Sequence, residues 1–236
     1  MSEQSSMGHI VWHDLLTTDV GQARQFYGEL LGWTYEVEHA EDFVWKPGAA
    51  DYPLILQGGE AHGGLVAIEP DQQSHWLAFV AVDNVDAAAN RSEKLGGTIE
   101  RTPFVIPGVG RSAVVRDPQG AVICPFVASH SYPAPTGVFL WDELFTMDIA
   151  GAQSFYEGVV SGTLAAVGAS AIPKDLAIEP QWVPHIAVTD IDAATSKAVT
   201  LGARAIAPPD KRTGLGRSAL LRDPTGALFA VLQPES

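Results

Sequence analysis

Gly110-Arg111-Ser112-Ala113-Val114-Val115-Arg116-Asp117-Pro118-Gln119-Gly120-Ala121 returns further along the chain as Gly216-Arg217-Ser218-Ala219-Leu220-Leu221-Arg222-Asp223-Pro224-Thr225-Gly226-Ala227. A second pair of copies lies upstream of each. Trp12-His13-Asp14-Leu15-Leu16-Thr17-Thr18-Asp19, followed by Phe26-Tyr27, recurs as Trp141-Asp142-Glu143-Leu144-Phe145-Thr146-Met147-Asp148, followed by Phe155-Tyr156. The chain is therefore built from two homologous halves, a duplication that fixes architecture more firmly than chemistry.

Working outward, each half divides into two modules that open with a strand, continue into a helix and close with further strands. Ile10-Val11-Trp12 leads through Leu15-Leu16 to Asp19, an N-cap candidate with Gln22 three residues on. Ala23, Phe26, Tyr27, Leu30 and Leu31 then share one helical face, and Gly32 ends the helix. Trp76 to Val82 and Trp182 to Val188 read as strands, with Asp86 and Asp192 as caps of the helices that follow. Asp-Pro-x-Gly has the composition of a tight turn, so the runs flanking it should pair as a hairpin. The modules span 8–70 and 74–128 in a first domain, 1–128, and 138–165 and 181–233 in a second, 138–236. Residues 129–137, rich in Ser, Pro and Gly, read as the linker.

The halves are unequal. Trp12 and Trp141 are offset by 129 positions, but Trp76 and Trp182 by only 106, so the second half lacks 23 residues between its modules. The missing part answers to the region holding Phe43-Val44-Trp45 and Leu54-Ile55-Leu56. Two strands should therefore be absent from the third module.

Of the 236 residues, 46% are hydrophobic and 18% charged, enough apolar surface for two cores. No run of eighteen apolar residues is present, and Met1 to Met7 is a polar tail without the apolar stretch of a signal peptide. A formal charge of −14 opposes binding to a phosphate backbone. The single cysteine, Cys124, excludes an intramolecular disulfide and a thiolate zinc site within one chain. These features predict a cytoplasmic acidic protein that takes neither nucleic acid nor a membrane as its partner.

A strand, a helix and three strands used in pairs, with x-x-Asp-x-x-x-Ala-x-x-Phe-Tyr opening a module and Arg-Asp-Pro-x-Gly near its close, resembles the vicinal oxygen chelate superfamily. That is the fold of glyoxalase I, bleomycin-resistance proteins and extradiol dioxygenases. The Trp-x-[Asp/Glu]-Leu-x-Thr opening, present twice, is similar to a subgroup of tandem two-domain glyoxalase-like proteins, some of them labelled hydroxylases. The resemblance implies an α+β fold of paired βαβββ modules, whose curved mixed sheets surround a cavity in each half.

It also implies a divalent metal held by His or Glu from first and last strands. Counted from the repeated landmarks, those positions fall on Trp12, Leu77 and Cys124 in the first half, and on Trp141, Val183 and Ala230 in the second. Indole nitrogen only donates, and Leu, Val and Ala carry no lone pair, so five of the six cannot ligate a metal. No cofactor is expected, with a divalent metal as the alternative. A slip of one residue would bring in His13, but Asp142 is its counterpart, and such a slip turns the side chain to the other sheet face.

Strand alternation supplies the positive candidates. If Trp12 faces the cavity, so do Asp14 and Leu16, and likewise Trp141, Glu143 and Phe145; in the other modules Leu77 and Phe79, or Val183 and His185, face inward. Asp14, Glu143 and His185 are the catalytic candidates. A carboxylate among aromatic walls has its pKa pushed upward, which suits an acid, a base or a hydrogen-bond anchor. In the competing reading Asp14 and Glu143 pair with Arg111 or Arg217, or cap amides, and only specify the fold. Glu143 with His185 forms the one acid–histidine pair aimed the same way, as a proton relay or as two ligands of a weak metal site.

Trp45 and Tyr52 either extend an aromatic lining or belong to the core. Cys124 reads as a buried, inert thiol. Arg111 and Arg217 either serve the hairpins or reach an anionic ligand. The cavity that the resemblance implies takes a small-molecule ligand, and a tandem fusion in place of the dimer of smaller relatives leaves a monomer or a homodimer open. Two functions remain open, beside a blander reading in which the second half is a structural or dimer-forming cap. One is metal-independent binding of a small aromatic or hydrophobic molecule through Trp12, Leu16, Trp45, Leu77, Phe79, Arg111, Cys124 and Trp141. The other is a lyase, isomerase or hydroxylase, or another oxidoreductase of dioxygenase type, using a cavity carboxylate or a divalent metal.

Overall fold

Each of the four modules opens with a strand that runs into a helix, as the repeats require. A computed structural model describes residues 7–41, 43–173, 176–212 and 214–235, so most of the polar tail, residues 1–6, lies outside the described residues. The first module comprises β1 (Ile10–Thr17), α1 (Val20–Leu31), β2 (Thr34–Ala40), β3 (Ala50–Gln57) and β4 (Glu60–Ala67). The second comprises β5 (His75–Ala81), α2 (Val85–Lys94), β6 (Thr98–Ile106), β7 (Gly110–Arg116) and β8 (Val122–Ala128). The third is reduced to β9 (Phe139–Thr146), α3 (Ile149–Val160) and β10 (Val167–Ala171). The fourth holds β11 (Gln181–Ala187), α4 (Ile191–Thr200), β12 (Arg204–Arg212), β13 (Gly216–Arg222) and β14 (Leu228–Pro234).

The strands form two curved mixed sheets, ordered β2-β3-β4-β1-β5-β8-β7-β6 and β10-β9-β11-β14-β13-β12, an α+β architecture of βαβββ modules. Register identifies the lost strands. β4 runs parallel to β1 with Asp14 opposite Gly64, and β10 runs parallel to β9 with Glu143 opposite Gly168. β10 is thus the counterpart of β4, and among the described residues β2 and β3 have none. Leu54 to Leu56 lie in β3 as expected, but Phe43 to Trp45 lie in the connection between β2 and β3.

Local chemistry explains the boundaries. Asp19, Asp148 and Asp190 hold extended backbone and accept from the amides of Gln22, Gly151 and Ala193, capping α1, α3 and α4. α2 is capped by Asn84, through Ala87. Asp86 and Asp192, expected as caps, instead lie two residues beyond Asn84 and Asp190, inside the first turn. There each carboxylate receives two hydrogen bonds, at 2.8 and 2.9 Å from Arg111 and at 2.7 and 2.9 Å from Arg217. Gly32, at φ 75°, closes α1 in the left-handed conformation. In the turns, one carboxylate oxygen of Asp117 accepts from the amides of Gln119, Gly120 and Ala121, and Asp223 accepts likewise from Thr225, Gly226 and Ala227.

Backbone contacts gather the chain into two units. One contains the described residues up to Trp12, with Leu77–Ala134 and Trp141–Trp182; the other contains those of His13–Trp76, Pro135–Leu140 and from Val183 onward. In the first, α2 packs on α3 over a core that includes Ala78, Val80, Val115, Ile123, Leu144, Phe155 and Tyr156. In the second, α1 packs on α4 over Leu15, Phe26, Tyr27, Leu30, Ile55, Leu65, Ile186 and Phe229. The repeated motifs lock each unit. Tyr27 Oη donates to Asp223 Oδ2 at 2.9 Å, and Tyr156 Oη donates to Asp117 Oδ2 at 3.0 Å. The Phe-Tyr of one module is thus latched to the Asp-Pro-x-Gly turn of another. Burial, reinforced by the neighbouring carboxylate, drives both phenols well above their ordinary pKa. Burial also raises Asp223, against the hydrogen bonds that favour its charged form.

Candidate functional site

Each core claims alternate residues of its strands, so the remaining residues face away from the helices. Leu15 belongs to the core, which turns Trp12, Asp14 and Leu16 the other way. Ala78 and Val80 do the same for Leu77 and Phe79, Ile123 for Cys124, Leu144 for Trp141 and Glu143, and Ile186 for Val183 and His185. Ala230 lies opposite His185 in register, between the core residues Phe229 and Val231. Trp12, Leu16 and Trp141 are half-buried, whereas Asp14, Leu77, Phe79, Cys124, Glu143 and His185 are buried.

Asp14 is held by a hydroxyl. Tyr52 Oη donates to Asp14 Oδ1 at 2.6 Å from β3, two strands away across β4. Gly64 makes this reach feasible, because a Cβ there would overlap the Tyr52 ring. Glu143 has the same kind of partner by another route. β3 has no equivalent in the third module, and Ser170 of β10 donates its hydroxyl to Glu143 Oε1 instead. Gly168, opposite Glu143, lies under Trp141, where a Cβ would come within 2.8 Å of the indole ring. The buried Trp141 indole N–H meets no acceptor among the described residues.

Other candidates are placed apart from these. Arg111 has the parity of the core residues Ala113 and Val115 and engages Asp86, so it lies on the face opposite Phe79 and Cys124. Arg217 engages Asp192 in the same way. Neither is the partner of Asp14 or Glu143 that the competing reading supplied. Trp45 is half-buried in the β2–β3 connection. The His185 ring nitrogen Nδ1 lies 3.3 Å from the carbonyl oxygen of Val183. His13 is buried on the helix side, stacked on Phe139 with ring centroids 4.0 Å apart. Phe79 and Cys124 are brought together as a cross-strand pair.

Three partners escaped the sequence reading. Ser170 lies beyond the deletion, where the repeat gives no alignment. The reach of Tyr52 to Asp14 depends on a register that Gly63 and Gly64 permit, and the paired glycines were its one available signal. Arg101 shares its face with Cys124, but two register shifts in β6 conceal this from simple alternation.

The metal implied by the resemblance does not fit the donor set. The structure brings Trp12, Leu77, Cys124, Trp141, Val183 and Ala230 to the faces turned away from the helices. Of these only Cys124 offers a lone pair suited to a transition metal. Among the described residues, no three His, Cys, Asp or Glu side chains gather as ligands.

Comparison with known proteins agrees with this architecture. The family profile described as Glyoxalase/Bleomycin resistance protein/Dioxygenase superfamily matches residues 6–124. A Mycobacterium tuberculosis protein named "Putative glyoxylase CFP32" is 32% identical over 249 residues, covering 94% of this chain and 94% of its own length. The anthracycline biosynthesis protein DnrV of Streptomyces peucetius is 29% identical over 263 residues, covering 96% and 93%. Among solved structures, the Mn(II)-bound glyoxalase from Novosphingobium aromaticivorans superposes with a TM-score of 0.63 at 15% identity, covering 97% of this chain and 82% of that one.

Proposed function

The chain belongs to the glyoxalase/bleomycin resistance protein/dioxygenase superfamily, and on that premise we propose that it binds a small aromatic or hydrophobic molecule without a metal ion. The observation that carries this reading is the chemistry of the family's ligand positions, where indole and alkyl groups and a single thiol, Cys124, stand in place of imidazole and carboxylate. Trp12 and Leu16, with Asp14 between them, supply a stacking surface and an acceptor whose orientation Tyr52 fixes. The name of the Streptomyces relative ties it to anthracycline biosynthesis, and an anthracycline is a flat fused-ring aromatic of the kind such a face stacks.

In this proposal residues 1–128 and 138–236 are the duplicated domains, joined by residues 129–137. The protein acts in the cytoplasm, as a monomer or homodimer. The net charge of −14 and the single cysteine support that setting. Elemental analysis after purification without chelators, together with titration of a flat aromatic probe against tryptophan fluorescence, tests the reading. Saturable quenching with far less than one metal per chain is expected. One transition-metal ion per chain would overturn it.

The Tyr52–Asp14 hydrogen bond favours a second reading, an enzyme of lyase, isomerase or hydroxylase type. Asp14 would take a proton from substrate while Tyr52 held the carboxylate in place, with Glu143 or His185 in that role in the second half. Under this reading Asp14→Asn abolishes turnover; under the binding reading it leaves stacking intact.

A further inference from the structure

We propose that Arg101 is the anion anchor of the first half, so that the molecule bound there is an aromatic carboxylate or a comparable aromatic anion. This rests on the aromatic-ligand reading above and specifies its ligand class. The argument is one of register within a single unit. β6 places Arg101 opposite Val114; β7 and β8 pair Ser112 with Phe126 and Val115 with Ile123, a register that sets Val114 across from Cys124; and Cys124 lies opposite Phe79 in β5. These four residues form one row across the sheet. Because Ala113, Val115, Ile123, Ala78 and Val80 are the core residues between them, the row faces away from the helices.

The neighbouring row includes Phe104 and Phe126, and the Arg101 guanidinium lies 3.7 Å from the centroid of the Phe104 ring. Val114, Phe79 and Phe126 beside it are apolar, and Ser112, between Phe104 and Phe126, donates its hydroxyl to the Pro125 carbonyl; a cation stacked on an aromatic ring is fixed in plane and less strongly hydrated there. A guanidinium carries five N–H donors around its edge, arranged to meet a carboxylate with two parallel hydrogen bonds. An aromatic acid lying along Phe79 and Phe126 would present its ring to those side chains and its carboxylate to Arg101. Burial lowers the guanidinium pKa, the nearby Cys124 sulfur opposes that shift, and the side chain stays charged at neutral pH. The two register shifts flanking Arg101 in β6 bring both Arg101 and Phe104 to the same face.

The test compares 2-naphthoate with its neutral isostere 2-naphthamide, titrated against the full chain near neutral pH and read by tryptophan fluorescence and calorimetry. Naphthoate should bind about ten- to a hundredfold more tightly, the worth of a charge-assisted hydrogen-bond pair. Arg101→Gln should abolish that preference while leaving naphthamide affinity within about twofold, and Arg101→Lys should retain part of it. Thermal melting of each variant verifies the fold. Equal affinity of the two probes for the parent protein, or an unchanged preference in Arg101→Gln, overturns the anion assignment alone. Failure of both probes to bind overturns the aromatic-ligand reading as well.

Discussion

Replacing Tyr27 with Phe removes one hydroxyl from a fully buried ring and tests whether the duplicated motifs act as latches. The change takes away the donor to Asp223 Oδ2, 2.9 Å distant, and leaves the Asp223 turn bonds in place. Losing a hydrogen bond to a buried carboxylate should cost about 1–3 kcal/mol at pH 8. For a chain of this length that corresponds to a fall in Tm of about 2–12 °C. The alkaline limb gives the sharper signature. Burial holds the Tyr27 phenol well above its ordinary value of 10.0. Above pH 10 the unfolded chain therefore ionises this group while the folded chain does not, and parent stability falls by about 1 kcal/mol over the first pH unit from this residue. The variant lacks that loss, so its penalty should shrink by about 1 kcal/mol between pH 10 and pH 11. Urea unfolding followed by tryptophan fluorescence at pH 8, 10 and 11 measures both quantities. A penalty that is negligible at pH 8, or that stays constant or grows at pH 11, would refute the latch. Tyr156→Phe should repeat the pattern through Asp117.

Asp223 predicts an opposite-edge effect at low pH. Because burial raises its folded pKa, the stability its neutral form contributes is fully present below the unfolded carboxylate value and is lost as pH climbs through the folded value. Parent stability relative to Asp223→Asn should thus decline from pH 4 to pH 7 in urea titrations; a rise would contradict the burial argument. Gly64→Ala should destabilise by about 1–3 kcal/mol by displacing the Tyr52 ring from Asp14, and the same change in a Tyr52→Ala background should cost less than about 1 kcal/mol. Equal costs in the two backgrounds, measured by chemical denaturation, would show that the close approach is not what requires glycine.

Much of the fold was legible because repetition and periodicity are strong local signals. Of Ala23, Phe26, Tyr27, Leu30 and Leu31, read as one helical face, the first four are the buried residues of α1 and Leu31 is half-buried. The Asp-Pro-x-Gly stretches close the expected hairpins with their aspartates accepting three amides apiece. Cap positions were less legible. Asn84 and Asp86, like Asp190 and Asp192, are two residues apart and of similar capping strength, and backbone dihedrals decide between them. The deletion points to Phe43 to Trp45 as one of the two lost strands, yet the pairing goes to Thr34–Ala40, whose register with β3 runs unbroken from Thr34 to Ala40.

The candidate site was half visible. Parity alone turned Asp14, Phe79 and Cys124 away from the helices, but the groups that hold or accompany them come from distant sequence. Tyr52 is 38 residues from Asp14, and Ser170 is 27 from Glu143. Arg111 drew attention by recurring as Arg217, and recurrence here reflects a structural ion pair with the helix start. Arg101 has no arginine at the equivalent place in the second half, where Ala207 lies opposite Leu220 as Arg101 lies opposite Val114, so the repeat gave no hint of it.

The central claim is that the ligand face works without a cation. Its most direct test is the affinity of a flat aromatic probe before and after exhaustive dialysis against a strong chelator, then after adding back Mn²⁺, Fe²⁺ or Ni²⁺. The account predicts one dissociation constant throughout. Binding that disappears with the chelator and returns with one equivalent of a divalent ion would contradict it.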